Sequence, residues 1–288
     1  MAAPHSDAKP RYRSDDGREL ELLKHIFSLP DLERSIRNNP AAILNEIDKF
    51  STTESHLIHV GPEKGAMVTA LIADEKPSLM VELGGYVGYS AILFGDAVRR
   101  AGGQKYISLE LNPVNAAIAN LLIDLAGLRD FISIVIAPAH LSLARLLEKG
   151  VLKSGIDMLF IDHWKQRYLP DLWLIESLGL LKPGKSIIVA DNILHRGLSE
   201  SDYIPWVEAS PEEKQKILQK HTFKSLTGID IRNTVINGGV EGAEAAGIDL
   251  ELVPGKSELV YEPISKYHTG RDDAKEKDVG IHILTNKS

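Results

Sequence analysis

The stretch that decides the fold is SLMVELGGYVGYS, residues 78–90. Its apolar first half predicts a β-strand ending at Leu83, and the glycines after it predict a tight turn into a helix that begins near Tyr89. At the carboxyl end of a first strand, such glycines let a ligand approach the backbone, and the helix N-terminus offers free N–H groups. The alternative is that the glycines only make the turn.

Further apolar runs follow this strand and alternate with helical patterns. The predicted strands are KYISLEL (105–111), FISIVIA (131–137), IDMLFID (156–162) and SIIVAD (186–191), and the predicted helices cover 63–75, 113–126, 141–149 and 169–180. Continuous apolar strands separated by helices are typical of a parallel sheet that is covered on both faces. The sequence therefore predicts a doubly wound, Rossmann-like α/β fold with a mostly parallel sheet.

The two ends of the chain add to this core. Residues 15–49 place apolar residues at helical spacing, interrupted at Pro30 and Pro40, which predicts extra N-terminal helices. GIDLELV, PGK and SELVYEPI (247–264) predict a C-terminal hairpin that forms an antiparallel edge of the sheet. We expect a disordered tail at 1–18, a single domain at 19–269 with an insertion at about 210–246, and a polar C-terminal tail at 270–288.

Composition excludes several classes of function. The 288 residues include no cysteine, so disulfides and thiol nucleophiles are excluded and any metal must be held by oxygen or imidazole. The formal net charge of −7 argues against a nucleic-acid partner, because phosphate contacts need clustered Lys and Arg. There is no apolar run of membrane-spanning length and the N-terminus is polar, so we expect a cytoplasmic protein with no membrane partner.

Two carboxylates near the glycine turn favour a nucleotide-like ligand. The turn lacks the spacing G-x-G-x-x-G, and Glu82 at the strand end can meet a cationic ligand, which favours S-adenosylmethionine over a pyrophosphate cofactor. Glu110 ends the second strand, where an acidic residue can accept hydrogen bonds from ribose hydroxyls. A nicotinamide dinucleotide would use the same carboxylate, so Glu110 alone leaves both cofactors open.

Three oxygen-bearing side chains follow two later strands. Asp162 ends the fourth strand, and Asp191 and Asn192 end the fifth. Because the carboxyl ends of adjacent parallel strands meet at one crevice, these side chains can converge, and their hard oxygen atoms suit Mg²⁺. The alternative is that Asp191 and Asn192 cap the next helix and that Asp162 is a surface acid.

Two more residues in the loop after Asp162 are candidates for the chemistry. Lys165 can act as general base if a metal ion and a phenolic hydroxyl lie beside it, whereas a lone lysine is usually a solvated surface charge. Trp164 can form a wall against an aromatic substrate or the adenosine, or it can be a packing residue.

Together, VELGGYVGYSA, SLELNP, MLFIDHWKQRYLPD and IIVADN resemble the catechol O-methyltransferase family. The resemblance implies a monomeric enzyme that uses S-adenosylmethionine and Mg²⁺ to methylate a small aromatic diol. It implies that Lys165 is the catalytic base and that the metal ligands are Asp162, Asp191 and Asn192. It also implies a donor site in which Glu110 meets the ribose and the other members are Val60, Glu82, Gly84, Tyr86, Ser90, Ala139, His163 and Trp164.

Several positions depart from the family pattern. His56 and Ile58 stand where the family has an aromatic gatekeeper and a methionine, and Arg196 stands where it has a proline. The family carboxylate that binds the second catechol hydroxyl matches Ile248 without a gap and Glu251 with one. The metal and donor sites therefore carry over from the resemblance, whereas the aromatic acceptor pocket does not.

The sequence favours a Mg²⁺-dependent O-methyltransferase acting on a catechol-like small molecule. Three other functions stay open. They are a methyltransferase for a larger, phenylpropanoid-type acceptor, a nicotinamide-dependent oxidoreductase, and a non-catalytic binding module that keeps the fold.

Overall fold

A single sheet organises the protein, whose computed structural model describes residues 16–193, 202–227, 255–264 and 279–285. Within these ranges the strand order is β3-β2-β1-β4-β5-β7-β6. The strands are β1 Leu79–Leu83, β2 Lys105–Glu110, β3 Ile132–Ile136, β4 Met158–Ile161, β5 Ile187–Asp191, β6 Tyr261–Pro263 and β7 Val279–Leu284. Strands β1 to β5 are parallel, and β7 pairs antiparallel with both β5 and β6. The predicted fold class is therefore confirmed.

Helices cover both faces of the sheet. They are α1 Arg18–Phe27, α2 Pro40–Thr53, α3 Gly61–Glu75, α4 Tyr89–Arg100, α5 Pro113–Leu125, α6 Ala139–Glu148, α7 Tyr168–Ser177, α8 Tyr203–Glu208, α9 Pro211–Lys220 and α10 Phe223–Thr227. One apolar core packs helices α1 to α5 against the sheet, and a second packs α6 to α8 against its opposite face. Strands β1, β4 and β5 are buried along their whole length, as the continuous apolar runs predicted.

Side-chain caps define where several helices begin. Asn39 caps α2 by accepting a hydrogen bond from the N–H of Ala42, and Asn112 caps α5 in the same way; a proline follows each cap. Ser210 and Glu213 form a capping box at the start of α9. The first part of the segment predicted as an insertion is therefore helical.

The C-terminal edge of the sheet is antiparallel, as predicted, but only β6 comes from the predicted hairpin and β7 comes from a later segment. Strand β6 pairs with β7, whereas the expected hairpin paired 247–253 with 257–264. The tail predicted at 270–288 contains β7, so that boundary is wrong. The reason is that VGIHIL is apolar and buried between β5 and β6. Residues 228–254, with Ile248 and Glu251, lie outside the described residues, as does Arg196.

The N-terminal boundary also needs a correction. Residues 1–15 lie outside the described residues, but Arg18 begins α1 and its side chain is buried. Its guanidinium donates hydrogen bonds to Asp16 and to the backbone carbonyl of His56. The predicted tail at 1–18 therefore extends too far, because Arg18 is held by the folded domain.

Candidate active site

A cavity of about 650 Å³ opens at the carboxyl ends of the parallel strands. The strand order reverses between β1 and β4, and in doubly wound sheets the crevice at this switch point is where ligands bind. Of the thirteen residues that the sequence predicted for the site, twelve line this cavity. They are Val60, Gly84, Tyr86, Ser90, Glu110, Ala139, Asp162, His163, Trp164, Lys165, Asp191 and Asn192.

The glycine turn brings β1 and β4 close together at the floor of the cavity. Gly84 has a φ of 98°, and a Cβ atom there would lie 2.7 Å from the carbonyl oxygen of Asp162. The backbone N–H groups of Gly85 and Tyr86 donate to Glu110 Oε2 at 3.1 and 2.7 Å. The tight turn is thus a real structural requirement, and it also fixes the Glu110 carboxylate at the cavity wall.

Glu82 is the predicted site residue that the structure does not bring to the cavity. Its side chain is fully buried beneath the glycine turn, close to the hydroxyls of Ser108 and Ser90. Burial raises the pKa of Glu82 to about 7, and these hydroxyls offset only part of the effect. The structure therefore places the Glu82 carboxyl group inside the core and not among the residues that line the cavity, and its contact with a cationic ligand stays a prediction.

The three predicted metal ligands lie together, each in contact with an ammonium group. Lys165 Nζ donates to Asp162 Oδ1 at 3.3 Å and to Asn192 Oδ1 at 3.0 Å. Lys64 Nζ, from α3, donates to both carboxylate oxygens of Asp191 at 2.5 and 2.7 Å. Asn192 has a φ of 56°, a left-handed conformation that is uncommon outside glycine. Strained backbone of this kind clusters at functional sites.

Asp162 and Asp191 place two carboxylates close together in this cluster. Burial raises the pKa of Asp162 to about 7, and the negative charge of Asp191 adds to the effect, whereas Lys165 and Lys64 oppose it. Among the described residues, no three His, Cys, Asp or Glu side chains gather as a metal site. The predicted set has two carboxylates and one amide oxygen, and this is a donor set that a hard divalent cation accepts. These residues therefore fit Mg²⁺.

Imidazole and aromatic side chains from the segment after β4 also line the cavity. His163 Nε2 lies 2.8 Å from Asp171 Oδ2, and its ring stacks on Tyr168 with the centroids 5.3 Å apart. Trp164 is 78% exposed at the rim, so the alternative of a packing residue is wrong. The Tyr168 hydroxyl accepts from Lys165 Nζ at 2.6 Å and donates to the carbonyl of Asp191 at 3.0 Å. Tyr168 therefore connects the His163 imidazole to the Lys165 ammonium group.

Comparison with known proteins decides the family. A model described as O-methyltransferase matches residues 33–222 of the chain. The chain belongs to the O-methyltransferase family. Catechol O-methyltransferase of Bos taurus is 31% identical over 224 residues, covering 73% of this chain and 78% of that protein. The Mus musculus enzyme of the same name is 35% identical over 193 residues, covering 67% and 69%. A probable O-methyltransferase of Mycobacterium tuberculosis is 37% identical over 181 residues, covering 62% and 74%.

Solved structures show the same fold for this O-methyltransferase. The SAH-bound Podospora anserina methyltransferase has a TM-score of 0.53 at 19% identity and covers 99% of both chains. The Bacillus cereus O-methyltransferase in complex with SAH has a TM-score of 0.50 at 21% identity, covering 84% of this chain and 90% of that one. At these identities the likeness concerns the fold alone. Family membership excludes the oxidoreductase alternative. A separate finding concerns membranes: among the described residues, no helix combines the length and the apolar character that a membrane span requires.

Sequence reasoning missed several polar side chains of this O-methyltransferase site. His59 lines the cavity from the segment before α3, and Lys64 lines it from within α3. His59 Nδ1 accepts from the N–H of Gly61 at 3.1 Å, its ring stacks on Tyr89 at 4.3 Å, and burial lowers its pKa to about 4. No local pattern distinguishes Lys64 from a surface lysine, because its partner Asp191 is 127 residues away.

Proposed function

We propose that the protein transfers the methyl group of S-adenosylmethionine to a hydroxyl of a catechol-like small molecule and that it requires Mg²⁺. The observation that supports this most strongly is a single cavity that holds both candidate sites. Glu110 and the glycine turn line one part of it, and Asp162, Asp191, Asn192 and Lys165 line another. Donor, metal ion and acceptor could therefore meet in a space of about 650 Å³.

The donor part is built to hold a nucleoside. Glu110 offers a carboxylate, already oriented by the N–H groups of Gly85 and Tyr86, to ribose hydroxyls. His163, held by Asp171, and the exposed indole of Trp164 offer surfaces to a purine ring. S-adenosylmethionine supplies an electrophilic methyl group on a sulfonium centre.

The acceptor part is built to take a proton from a hydroxyl. Asp162, Asp191 and Asn192 would hold Mg²⁺, which supplies positive charge that lowers the pKa of a neighbouring substrate hydroxyl. Lys165 Nζ lies within 3.3 Å of Asp162 Oδ1 and Asn192 Oδ1, so its amine reaches any hydroxyl placed beside those oxygens. Lys165, in its neutral amine form, would accept the proton, and the substrate oxygen would then attack the methyl carbon as its bond to sulfur breaks, so that S-adenosylhomocysteine leaves. Holding these groups in line contributes much of the rate.

A larger, phenylpropanoid-type acceptor is the second candidate. The cavity rim carries exposed apolar side chains, since Ile58 is 41% exposed and Trp164 is 78% exposed. Both line the cavity, with His56 beside Ile58. Such a rim could pack against an acceptor that extends beyond the catechol ring.

A methyl-transfer screen tests the proposal. We expect the purified protein to methylate catechols, or phenylpropanoids carrying adjacent hydroxyls, with S-adenosylmethionine and Mg²⁺, and to lose this activity in EDTA. Lys165→Met should lower kcat by roughly 10²–10⁴-fold, the usual contribution of a general base. Its affinity for S-adenosylmethionine, measured by calorimetry, should stay unchanged.

Lys153→Met is the matched control, because Lys153 is exposed and is not among the residues that line the cavity. The proposal is wrong if EDTA leaves turnover intact, if Lys165→Met turns over like the control, or if no vicinal diol is methylated.

A further inference from the structure

Lys64 makes an unusually complete ion pair for a residue on a cavity wall. Its ammonium contacts both oxygens of Asp191, at 2.5 and 2.7 Å. The side chains are 14% and 2% exposed, so water screens the pair poorly. Ion pairs that are this buried hold each charged group strongly, because breaking one leaves an uncompensated charge out of water.

The charges around this pair balance without any metal ion. When both carboxylates are ionised, the two negative charges of Asp162 and Asp191 match the two positive charges of Lys64 and Lys165 in the same cluster. Lys64 occupies both oxygens of Asp191, and Lys165 contacts the oxygens of Asp162 and Asn192. A divalent cation added to this arrangement would meet two ammonium groups within the same few ångströms, and like charges repel at that range.

We propose that Lys64 is an internal counter-ion that competes with the divalent cation for Asp191 and so sets the cation concentration at which the site fills. This inference rests on the proposed Mg²⁺ site. Lys64 is the lysine that gives way, because its long side chain lines the open cavity and can turn into it. Lys165 is needed where it lies, beside Asp162 and Asn192. In the absence of metal, Lys64 keeps the buried Asp191 carboxylate paired.

Calorimetric titration with MgCl₂ alone tests the competition. Lys64→Met should bind Mg²⁺ at least about tenfold more tightly than the wild type, because the competing charge is gone and the unpaired carboxylate favours any cation. The metal-free variant should also melt at least about 5 °C lower than the wild type, since Asp191 is left buried and unpaired. Saturating MgCl₂ should recover most of that loss.

Lys149→Met is the control, since it removes one positive charge from an exposed position at the end of α6. Its Mg²⁺ affinity and its Tm should match the wild type. If the wild type binds Mg²⁺ and Lys64→Met binds it equally or more weakly, the counter-ion role is wrong and the proposed function stands. If the wild type binds no Mg²⁺, the proposed metal site itself fails.

A measurement on the unmodified protein covers the case in which Lys64→Met does not fold. Acetylation of lysines by acetic anhydride, followed by mass spectrometry, reports how freely each amine reacts. Lys64 should react slowly without metal, because it is ion-paired and only 14% exposed. It should react several times faster in saturating MgCl₂, whereas the acetylation rate of Lys149 should be the same with and without MgCl₂. An unchanged rate at Lys64 would overturn the competition.

Discussion

Glu82 shows that a single buried acid can make the stability of the fold depend on pH. Its pKa of about 7 lies above the ordinary value of a glutamate because the side chain is fully buried. Between that ordinary value and about pH 7, the folded protein keeps a proton that the unfolded chain has released. The contribution of Glu82 to the free energy of unfolding therefore falls as pH rises through this window, by on the order of 3 kcal/mol, and is constant above it.

Glu82→Gln should remove most of this loss. We expect the variant to gain about 1–3 kcal/mol over the wild type at pH 8 and to differ little from it at pH 4.5, as measured by urea unfolding. Asp162 titrates in the same window in metal-free protein, so the difference between the two proteins is the relevant quantity. The exposed Glu148→Gln is the control. A Glu82→Gln protein that follows the wild-type pH dependence would contradict the buried-acid account.

Only the site residues whose positions follow from the local sequence pattern could be predicted. Residues that end strands, such as Glu110, Asp162 and Asp191, could be predicted because parallel strands align their carboxyl ends at one edge. The position of Glu82 could not, because strand side chains alternate between faces and the sequence does not show which face opens to the cavity. Lys64 was missed for another reason, since its role depends on a contact with β5 that is remote in the chain.

At the scale of elements, Glu176 of α7 joins pieces that are far apart in the sequence. Its Oε1 accepts from Trp206 Nε1 of α8 at 2.9 Å and from the Tyr261 hydroxyl of β6 at 2.6 Å. Its Oε2 accepts from the backbone N–H of Lys256 at 2.8 Å. Lys214 of α9 lies over the Trp206 and Tyr261 rings, 4.9 and 4.5 Å from their centroids. These contacts fasten the C-terminal elements to the face of the sheet that α7 covers.

Replacing Glu176 with alanine should loosen this junction. Two buried donors and one partly buried donor would lose their acceptor, and a buried donor costs roughly 1–3 kcal/mol when it is left unpaired. We expect Tm to fall by roughly 6–12 °C in scanning calorimetry, for a loss on the order of 3 kcal/mol. Glu208→Ala, at an exposed position of α8, should change Tm by less than about 2 °C. Equal melting of the two variants would show that the Glu176 hydrogen bonds do not stabilise the fold.

Helices and strands were predicted well where the sequence shows a long apolar run or periodicity. The pairing of strands that are far apart in the chain was predicted poorly. Strands β1 to β5 and helices α3 to α7 follow the apolar runs and periodicities, and their ends agree within a few residues. The strand that contains β6 was predicted, but its pairing with β7 was not, because PGK resembles a hairpin turn and β7 begins only at Val279. Sequence periodicity cannot reveal which strands pair when the connection between them is long.

At the scale of the molecule, the last described strand completes the sheet. The family model ends at residue 222, so β6 and β7 both lie beyond the matched region. Yet β7 is paired along both edges, with β5 over five residue pairs and with β6 over three. Its residues Val279, Ile281 and Leu284 are buried in the two cores. The domain therefore depends on a strand from outside the region that defines its family.

Truncation tests how far the fold depends on β7. A chain that ends at residue 278 would lose the ladder with β5 and expose the apolar edge of that strand, next to Asp191 and Asn192. Unpaired apolar edge strands associate with other chains, so we expect this truncation to aggregate or to melt at least about 10 °C below the full chain. A chain that ends at Thr285 keeps β7 and should retain the full-length Tm and soluble yield. If the 278 truncation is as soluble and as stable as the 285 truncation, β5 does not need β7, and the sheet's stability comes from its parallel strands alone.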